Sequence, residues 1–114
     1  MRILTIIIFI LKITLIFSNE YYVSITYGDD DNNGTSLSTP FKTIQKASSV
    51  ISAGDICYIR QGMYHETIIL ENNSGEIGSP IIFTSYNDEQ VVLDGTKSID
   101  SLWVLYSDNI LLVE

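Results

Sequence analysis

The chain has 114 residues, of which 14 are acidic and six are basic, and its formal net charge at pH 7 is −8. This length allows one domain at most, and a single cysteine excludes an internal disulfide. The acidic balance leaves no basic stripe that could neutralise phosphates, so we expect no nucleic-acid partner.

The first 18 residues have the layout of a secretory signal peptide. Arg2 supplies the positive charge, residues 3–11 form an apolar run, and Ser18 is the small residue after which cleavage is predicted. The run is shorter than the roughly 20 apolar residues that span a bilayer, and Lys12 interrupts its continuation. We therefore expect a secreted, extracellular protein with one domain at residues 19–114; an uncleaved leader that anchors the chain in a membrane is the alternative.

The first strand is predicted over residues 20–28, where Tyr, Val and Ile alternate with other residues. A polar loop with the sequence GDDDNNGT follows at residues 28–35.

This loop is a candidate calcium site. The spacing of Asp29, Asp31 and Asn33 before Gly34 matches the first half of a calcium-binding loop. The twelfth position of such a loop requires a bidentate Glu, and Pro40 stands there. We therefore interpret the loop first as a link between the strand and the next helix, with calcium on Asp29, Asp31 and Asn33 as the alternative.

A short amphipathic helix is predicted over residues 41–51, because apolar residues recur there at helical spacing on one face. Ser38 or Thr39 is expected to cap it, with Pro40 at its first position. Gly54 is expected to end it.

Six short strands are predicted after the helix, over residues 56–60, 64–70, 80–86, 90–94, 102–106 and 109–114. They fall into two interleaved series, one with segments that start at residues 56, 80 and 102 and the other with segments that start at 66, 90 and 109. Repeats of 19 to 24 residues with two strands each are typical of a β-solenoid. A β-sandwich, which also has regular strands, is the alternative.

A series of motifs covers residues 21–95: YYV, the Gly-Asp loop with GT, PFKTIQKA, GD, YIRQGMY, ETI, GSPI and VVLDG. In this order they resemble the N-terminal region of secreted right-handed parallel β-helix proteins. These form the pectate-lyase-like superfamily, which includes polysaccharide lyases such as the family nine pectate lyases and the chondroitinase B group.

The resemblance implies an all-β fold that begins a right-handed parallel β-helix. The predicted helix would cap its N-terminal end, about two rungs would follow, and Gly62 and Gly95 would lie at tight turns between sheets. A member of this superfamily continues for further rungs. The resemblance therefore implies either that this chain is a fragment or truncation, or that its open C-terminal edge pairs with something else.

A polysaccharide lyase removes the proton next to a uronate carboxylate, and it needs a base and a cation, often calcium. In the relatives these groups come from later rungs. The resemblance therefore implies no catalytic residue in this chain by itself, an acidic polysaccharide as partner, and calcium only in a longer parent protein. The alternative is a non-enzymatic secreted or surface β-helix protein, or a truncation without function.

Five side chains that could carry chemistry are given structural interpretations instead. Cys57 is predicted to be a small buried hydrophobe, and His65 to face solvent. Arg60 is predicted to pair or pack at a strand end. Asp94 is predicted to start a turn, and Lys97 to lie exposed in a polar turn.

Two glycosylation sequons begin at Asn33 and Asn72, both in predicted surface loops. Both would be modified in a eukaryotic host.

Overall fold

The computed structural model describes residues 17–71 and 73–96 and, for the backbone alone, residues 103–107 and 110–113. The predicted leader up to residue 16, the sequon residue Asn72 and the exposed-turn residue Lys97 lie outside the described residues.

The described chain is mostly β, with one α-helix. In chain order its elements are β1 (Glu20–Val23), α1 (Ile44–Val50), β2 (Ile56–Ile59), β3 (Gly62–Tyr64), β4 (Ile82–Ser85), a 3₁₀ turn (Tyr86–Asp88), β5 (Val91–Leu93), β6 (Trp103–Ser107) and β7 (Ile110–Val113). None of the helical segments in this part of the chain has the length and apolar composition needed to cross a membrane.

Five of the strands form two parallel sheets. β1, β2 and β4 form one sheet with β2 in the centre, and β3 pairs with β5 in the other. The chain thus alternates between the sheets, since it leaves β2 for β3 and then returns to β4 and β5 in the same directions. Parallel pairing is confirmed for the first series, in which β2 pairs with β4. In the second series the partner of β5 is β3, at residues 62–64, and not the predicted segment that starts at residue 66.

The last two strands differ from the prediction. They were expected to continue the two parallel series, but β6 pairs with β7 in an antiparallel manner. Only two residues, 108 and 109, connect them, and a parallel crossover needs a dozen or more.

β1 is shorter than the strand predicted there, and β3 is shifted from its predicted position. The first strand ends at Val23 because the next residues form a turn, in which the Gly28 N–H donates to the Ser24 carbonyl at 2.8 Å. The prediction of a strand over residues 64–70 was wrong, since β3 covers Gly62–Tyr64. Residues after β3 bind α1 instead: the Ile69 N–H donates to the Gln45 side-chain oxygen at 2.7 Å.

The predicted start of the helix was also wrong. The cap is Thr43, whose hydroxyl accepts the backbone N–H three residues later, and neither Ser38 nor Thr39 has this role. Pro40 is buried before the helix and is not its first residue. The backbone of Phe41 is held extended by a parallel bridge to β1, and this tertiary pairing overrides its local helical preference.

The end of the helix lies earlier than predicted. Ile51 is the C-terminal cap residue, and its N–H donates to the Ala47 carbonyl at 3.0 Å. Gly54 lies in the following turn with φ of +88°, where glycine is favoured for a different reason.

The core lies between α1 and the two parallel sheets. It consists of eight buried residues: Val23, Phe41, Ile44, Ala47, Ile51, Cys57, Ile59 and Tyr64. The single apolar face predicted for the helix is confirmed, because Ile44, Ala47 and Ser48 are its buried residues. The fully buried Tyr64 hydroxyl is satisfied on both sides: it donates to the Arg60 carbonyl at 2.8 Å and accepts the Ile25 N–H at 3.2 Å.

Carboxylates hold the first backbone N–H groups of α1. Both oxygens of Glu66 are used: Oε1 accepts the Ile44 N–H at 3.0 Å and Oε2 accepts the Gln45 N–H at 2.8 Å. Asp30 Oδ1 accepts the two preceding N–H groups, those of Lys42 and Thr43, at 2.9 Å each. The first N–H groups of a helix have no partner within it, and negative charge is favourable there, so both carboxylates stabilise α1.

A third carboxylate joins the start of the described chain to the turn before β2. Asp55 is 2% exposed, and its Oδ1 accepts the Asn19 N–H at 2.9 Å. Its Oδ2 accepts the Ser52 N–H, also at 2.9 Å. The chain therefore enters β1 in a position fixed by the GD turn, and β1 lies beside β2 from its first residue.

We expect Glu66→Ala to lower the free energy of unfolding of the full chain by about 1–3 kcal/mol, because two helix N–H groups lose a charged acceptor. Urea unfolding followed by circular dichroism measures the change. Glu76→Ala is the matched control, since Glu76 is exposed. Equal stability of the two variants would contradict the role of Glu66.

Gly62→Ala is expected to destabilise the fold by about 1–3 kcal/mol through backbone strain. Gly62 has φ of +146°, and an added Cβ would lie 2.5 Å from Ile25 Cγ2. Gly95 was also predicted to lie at a tight turn, but a Cβ there would meet nothing within 4 Å. Gly95→Ala is therefore the control and should change stability by less than about 0.5 kcal/mol in the same unfolding experiment.

Candidate functional site

A groove of about 470 Å³ lies beside the turn that joins β2 to β3, and it is lined by Thr26, Gln61, Gly62, Met63, Gln90 and Val92. A smaller hollow of about 120 Å³ shares Thr26 and Gln61 with it and extends to Ser24, Tyr27 and Arg60. The two hollows, which share these lining residues, are here called the corner groove. Hydroxyl, amide and apolar groups dominate its surface.

Two equivalent turns bring the walls of the corner groove together. Gln61 directly precedes β3 and Gln90 directly precedes β5, and these two strands are paired in parallel. The Gly62 N–H donates to the Gln90 carbonyl at 3.2 Å, which joins the two turns. Gly62 also approaches Ile25 so closely that an added Cβ would lie 2.5 Å from Ile25 Cγ2.

An ion pair closes one end of the corner groove. The Arg60 guanidinium donates three hydrogen bonds to Glu89: Nε to Oε2 at 2.8 Å and to Oε1 at 3.1 Å, and Nη2 to Oε1 at 2.9 Å. The guanidinium also lies 5.2 Å from the centre of the Tyr86 ring. Glu89 Oε2 accepts a further hydrogen bond from the Gln61 N–H at 2.8 Å. The predicted pairing of Arg60 at a strand end is confirmed.

This ion pair shifts both titrating groups towards their charged forms. The hydrogen bonds from Arg60, followed by that from the Gln61 N–H, lower the pKa of Glu89 below its ordinary value. The Glu89 carboxylate in turn raises the pKa of Arg60. The charge of Arg60 is therefore already compensated within the protein, and the guanidinium is a poor partner for the carboxylate of a uronate.

Three tyrosines form a row on the outer face of the larger sheet. Tyr22 stacks on Tyr58 with ring centres 5.5 Å apart, as the register of β1 and β2 requires. Tyr86 meets both rings edge-on, at 6.2 and 6.1 Å. Because the rings of Tyr22 and Tyr58 face one another, their flat faces are used within the protein, and the row stabilises the sheet.

Side-chain oxygens of the acidic loop accept hydrogen bonds from nearby groups of the protein. Asp29 Oδ1 accepts the Asp31 N–H at 2.9 Å. Asn33 Oδ1 accepts three hydrogen bonds, from the Thr35 N–H, the Thr35 hydroxyl and the Thr39 hydroxyl. Within the described residues no group of three or more His, Cys, Asp and Glu side chains forms a metal site. Calcium binding by Asp29, Asp31 and Asn33 stays a prediction, as does glycosylation of the exposed Asn33.

The other candidate side chains occupy separate places. The His65 side chain is 61% exposed, as predicted, and its Nδ1 lies 3.1 Å from Asp94 Oδ2. Hydrogen bonds from Thr96, with a smaller contribution from His65, lower the pKa of Asp94. Asp94 Oδ1 accepts the Thr96 N–H at 2.9 Å, which confirms a turn there. Cys57 is fully buried, as predicted, and burial raises the pKa of its thiol to about 12, so it is no nucleophile in the folded chain.

Sequence reasoning missed the corner groove. Its residues come from the turn after β1 and from two later turns, and each of these turns is unremarkable by itself. The recurrence of a glutamine one residue before each of two paired strands is the signal that could have found it, once the register of β3 and β5 is known.

No protein-family model matches the chain. The chain is 41% identical over 78 residues to the uncharacterized protein YwoF of Bacillus subtilis (strain 168), which covers 68% of this chain and 16% of that protein. It is 32% identical over 83 residues to the pectate lyase PEL9 of Emericella nidulans, which covers 72% of this chain and 20% of that protein.

One solved structure extends the similarity to three dimensions. The complex of XylC with xylose matches 81% of this chain and 14% of its own, with 33% identity and a TM-score of 0.64. The chain thus spans about a fifth or less of the length of the proteins it matches. These matches and the parallel strands support a β-helix of the pectate-lyase-like superfamily. The chain resembles a fragment of a carbohydrate-active member of that superfamily.

The Arg60–Glu89 pair predicts a pH dependence of stability. Since the pKa of Glu89 is lowered from 4.5 in the folded chain, its stabilising contribution is complete above that pH and is lost as the pH falls through the lowered pKa. We expect Glu89→Gln to be less stable than the parent chain at neutral pH. The difference should shrink in unfolding experiments between about pH 5 and about pH 2.

Glu76→Gln removes an exposed carboxylate of the same kind and is the control for this titration. A Glu89→Gln difference that stays constant across the acid range would show that the ionisation of Glu89 does not stabilise the fold.

Proposed function

We propose that this chain is the N-terminal part of a secreted, carbohydrate-active, right-handed parallel β-helix protein, and that it binds polysaccharide without catalysing its cleavage by itself. The observation that carries the proposal is the parallel stacking of β2 on β4 and of β3 on β5, in a chain related over most of this region to a pectate lyase. Similarity to a xylose-bound structure supports the carbohydrate part of the proposal.

In this proposal α1 is the N-terminal cap of the β-helix, and the two parallel sheets are its first rungs, about two in number. The buried face of α1 and its contact with β1, the first strand, support the assignment. A cap is needed there because the first rung of a solenoid would otherwise expose its core and its unpaired strand edge.

Secretion is proposed from the leader. Its charged start, apolar run and small residue at Ser18 fit a signal peptide. β1 begins at Glu20, so cleavage after Ser18 would leave the strand intact.

The proposal that the chain binds rather than cleaves rests on Arg60. It is the only lysine or arginine between Lys46 and Lys97, and Glu89 holds its guanidinium in a bidentate ion pair. A lyase base must accept a proton, and the Glu89 carboxylate instead raises the pKa of Arg60. We assign catalysis to the longer parent protein. Any calcium site and any subsite for the uronates of an acidic polysaccharide are assigned to it as well.

A binding and activity assay tests this function. The purified chain is incubated with a panel of neutral and acidic polysaccharides, and affinity electrophoresis measures binding while ultraviolet absorbance measures unsaturated uronate products. We expect retarded migration with at least one polysaccharide and no product. Polyaspartate in the same gels controls for migration effects of charge alone.

Two outcomes contradict the proposal. A chain that is folded by circular dichroism but binds no polysaccharide would favour the structural or surface-protein alternative. Formation of unsaturated product would show that the chain itself holds a lyase site.

A further inference from the structure

We propose that the corner groove is a subsite for a neutral sugar residue and that it excludes a uronate. This inference rests on the proposed function, since it names the class of sugar that a polysaccharide-binding chain would take at this place. It is argued from the groups that line the groove and from the charges around it.

Groups suited to sugar hydroxyls converge on the groove. Thr26, Gln61 and Gln90 are all exposed, and no hydrogen bond joins their side chains to another described residue. Each glutamine amide offers two donors and an acceptor, and the threonine hydroxyl offers one donor and acceptor sites. A sugar hydroxyl both donates and accepts, so this set matches it without any charged group.

Apolar surface lies between these polar groups. Met63 is 51% exposed and Val92 is 38% exposed, and both line the groove. Tyr27, at the edge of the adjoining hollow, is 77% exposed. A pyranose ring has polar edges and an apolar C–H face, and it can cover such side chains while its hydroxyls reach the amides.

Charge around the groove disfavours a carboxylate. Arg60, the cation among the lining residues, is held by Glu89 through three hydrogen bonds. The Gln61 N–H, which could otherwise donate to an anion, is also bound by Glu89. A uronate would therefore bring a further negative charge close to the Arg60–Glu89 pair in a strongly acidic chain, and the cation that lines the groove is already paired.

The groove is rigid before any ligand binds. Gln61 and Gln90 adjoin the paired strands β3 and β5, and their backbones are fixed by the bonds to Glu89 and from Gly62. Little ordering of the backbone then opposes binding, which makes a shallow site effective for one sugar residue of a longer glycan.

The test uses the full chain and isothermal titration calorimetry with two kinds of tetrasaccharide. The neutral probes are linear tetramers of xylose and of galactose, and the acidic probe is tetragalacturonate. We expect a neutral tetramer to bind and Gln61→Ala and Gln90→Ala each to weaken it by about ten-fold, since each removes hydrogen bonds to the sugar. Thr26→Ala should weaken binding to a smaller extent, and Thr67→Ala, at an exposed threonine outside the groove, should leave it unchanged.

Circular dichroism and melting temperature must be the same in all variants, which is expected because only exposed side-chain atoms are removed. If a neutral tetramer binds but none of the groove substitutions weakens it, the subsite is wrong and the proposed polysaccharide function stands. If tetragalacturonate binds and its binding depends on Gln61 and Gln90, the neutral assignment is overturned. If no polysaccharide or tetramer binds to the folded chain, the proposed function itself fails.

Discussion

The short helix α1 depends on carboxylates that come from other parts of the chain. A helix of seven residues is too short to be stable alone in water. Packing of its buried face against the core stabilises it only if its first N–H groups have hydrogen-bond acceptors. Glu66 and Asp30 accept hydrogen bonds from these groups. In the sequence, Asp30 precedes the helix in the acidic loop, and Glu66 follows it, just after β3. Asp55 acts in the same way on the strand side, where it fixes the entry to β1. Several acidic residues of this strongly acidic chain therefore bind the backbone, and the core is assembled around them.

The sequence predicted those elements whose structure is determined by their own local residue pattern. β2, β4 and β5 lie within predicted strands that are rich in β-branched and aromatic residues, and the recurrence of the first series predicted the parallel pair of β2 and β4. The burial of Cys57 follows from the alternation along β2. His65 is exposed as predicted, although it lies after β3 and not in a strand. The start of α1 could not be predicted in this way, because Phe41 has helical spacing but pairs with β1. Partners such as Glu66 for Ile44 and Glu89 for Arg60 are more than 20 residues apart, and nothing local marks them.

The same limit applies to the corner groove. The acidic loop attracts attention in the sequence because its carboxylates are adjacent, yet the fold uses Asp30 to bind the backbone before α1 and Asn33 to order the loop. The groove consists of common residues that become neighbours only when β3 and β5 pair. Its neutrality has a structural origin, because Glu89 compensates Arg60 and also occupies the Gln61 N–H. One carboxylate therefore both stabilises the turn and determines what the adjacent surface can bind.

The position of Cys57 gives this protein an internal reporter of its own dynamics. The thiol lies in β2, the central strand of the larger sheet, and it is fully buried among core residues. A thiol reagent can reach it only when β2 separates from its neighbours, and the raised pKa keeps the thiol protonated until that happens. Since the chain has one cysteine, its labelling rate follows a single event, the opening of the sheet at its centre. Local fraying of the loops or of the corner groove would leave no trace in that signal.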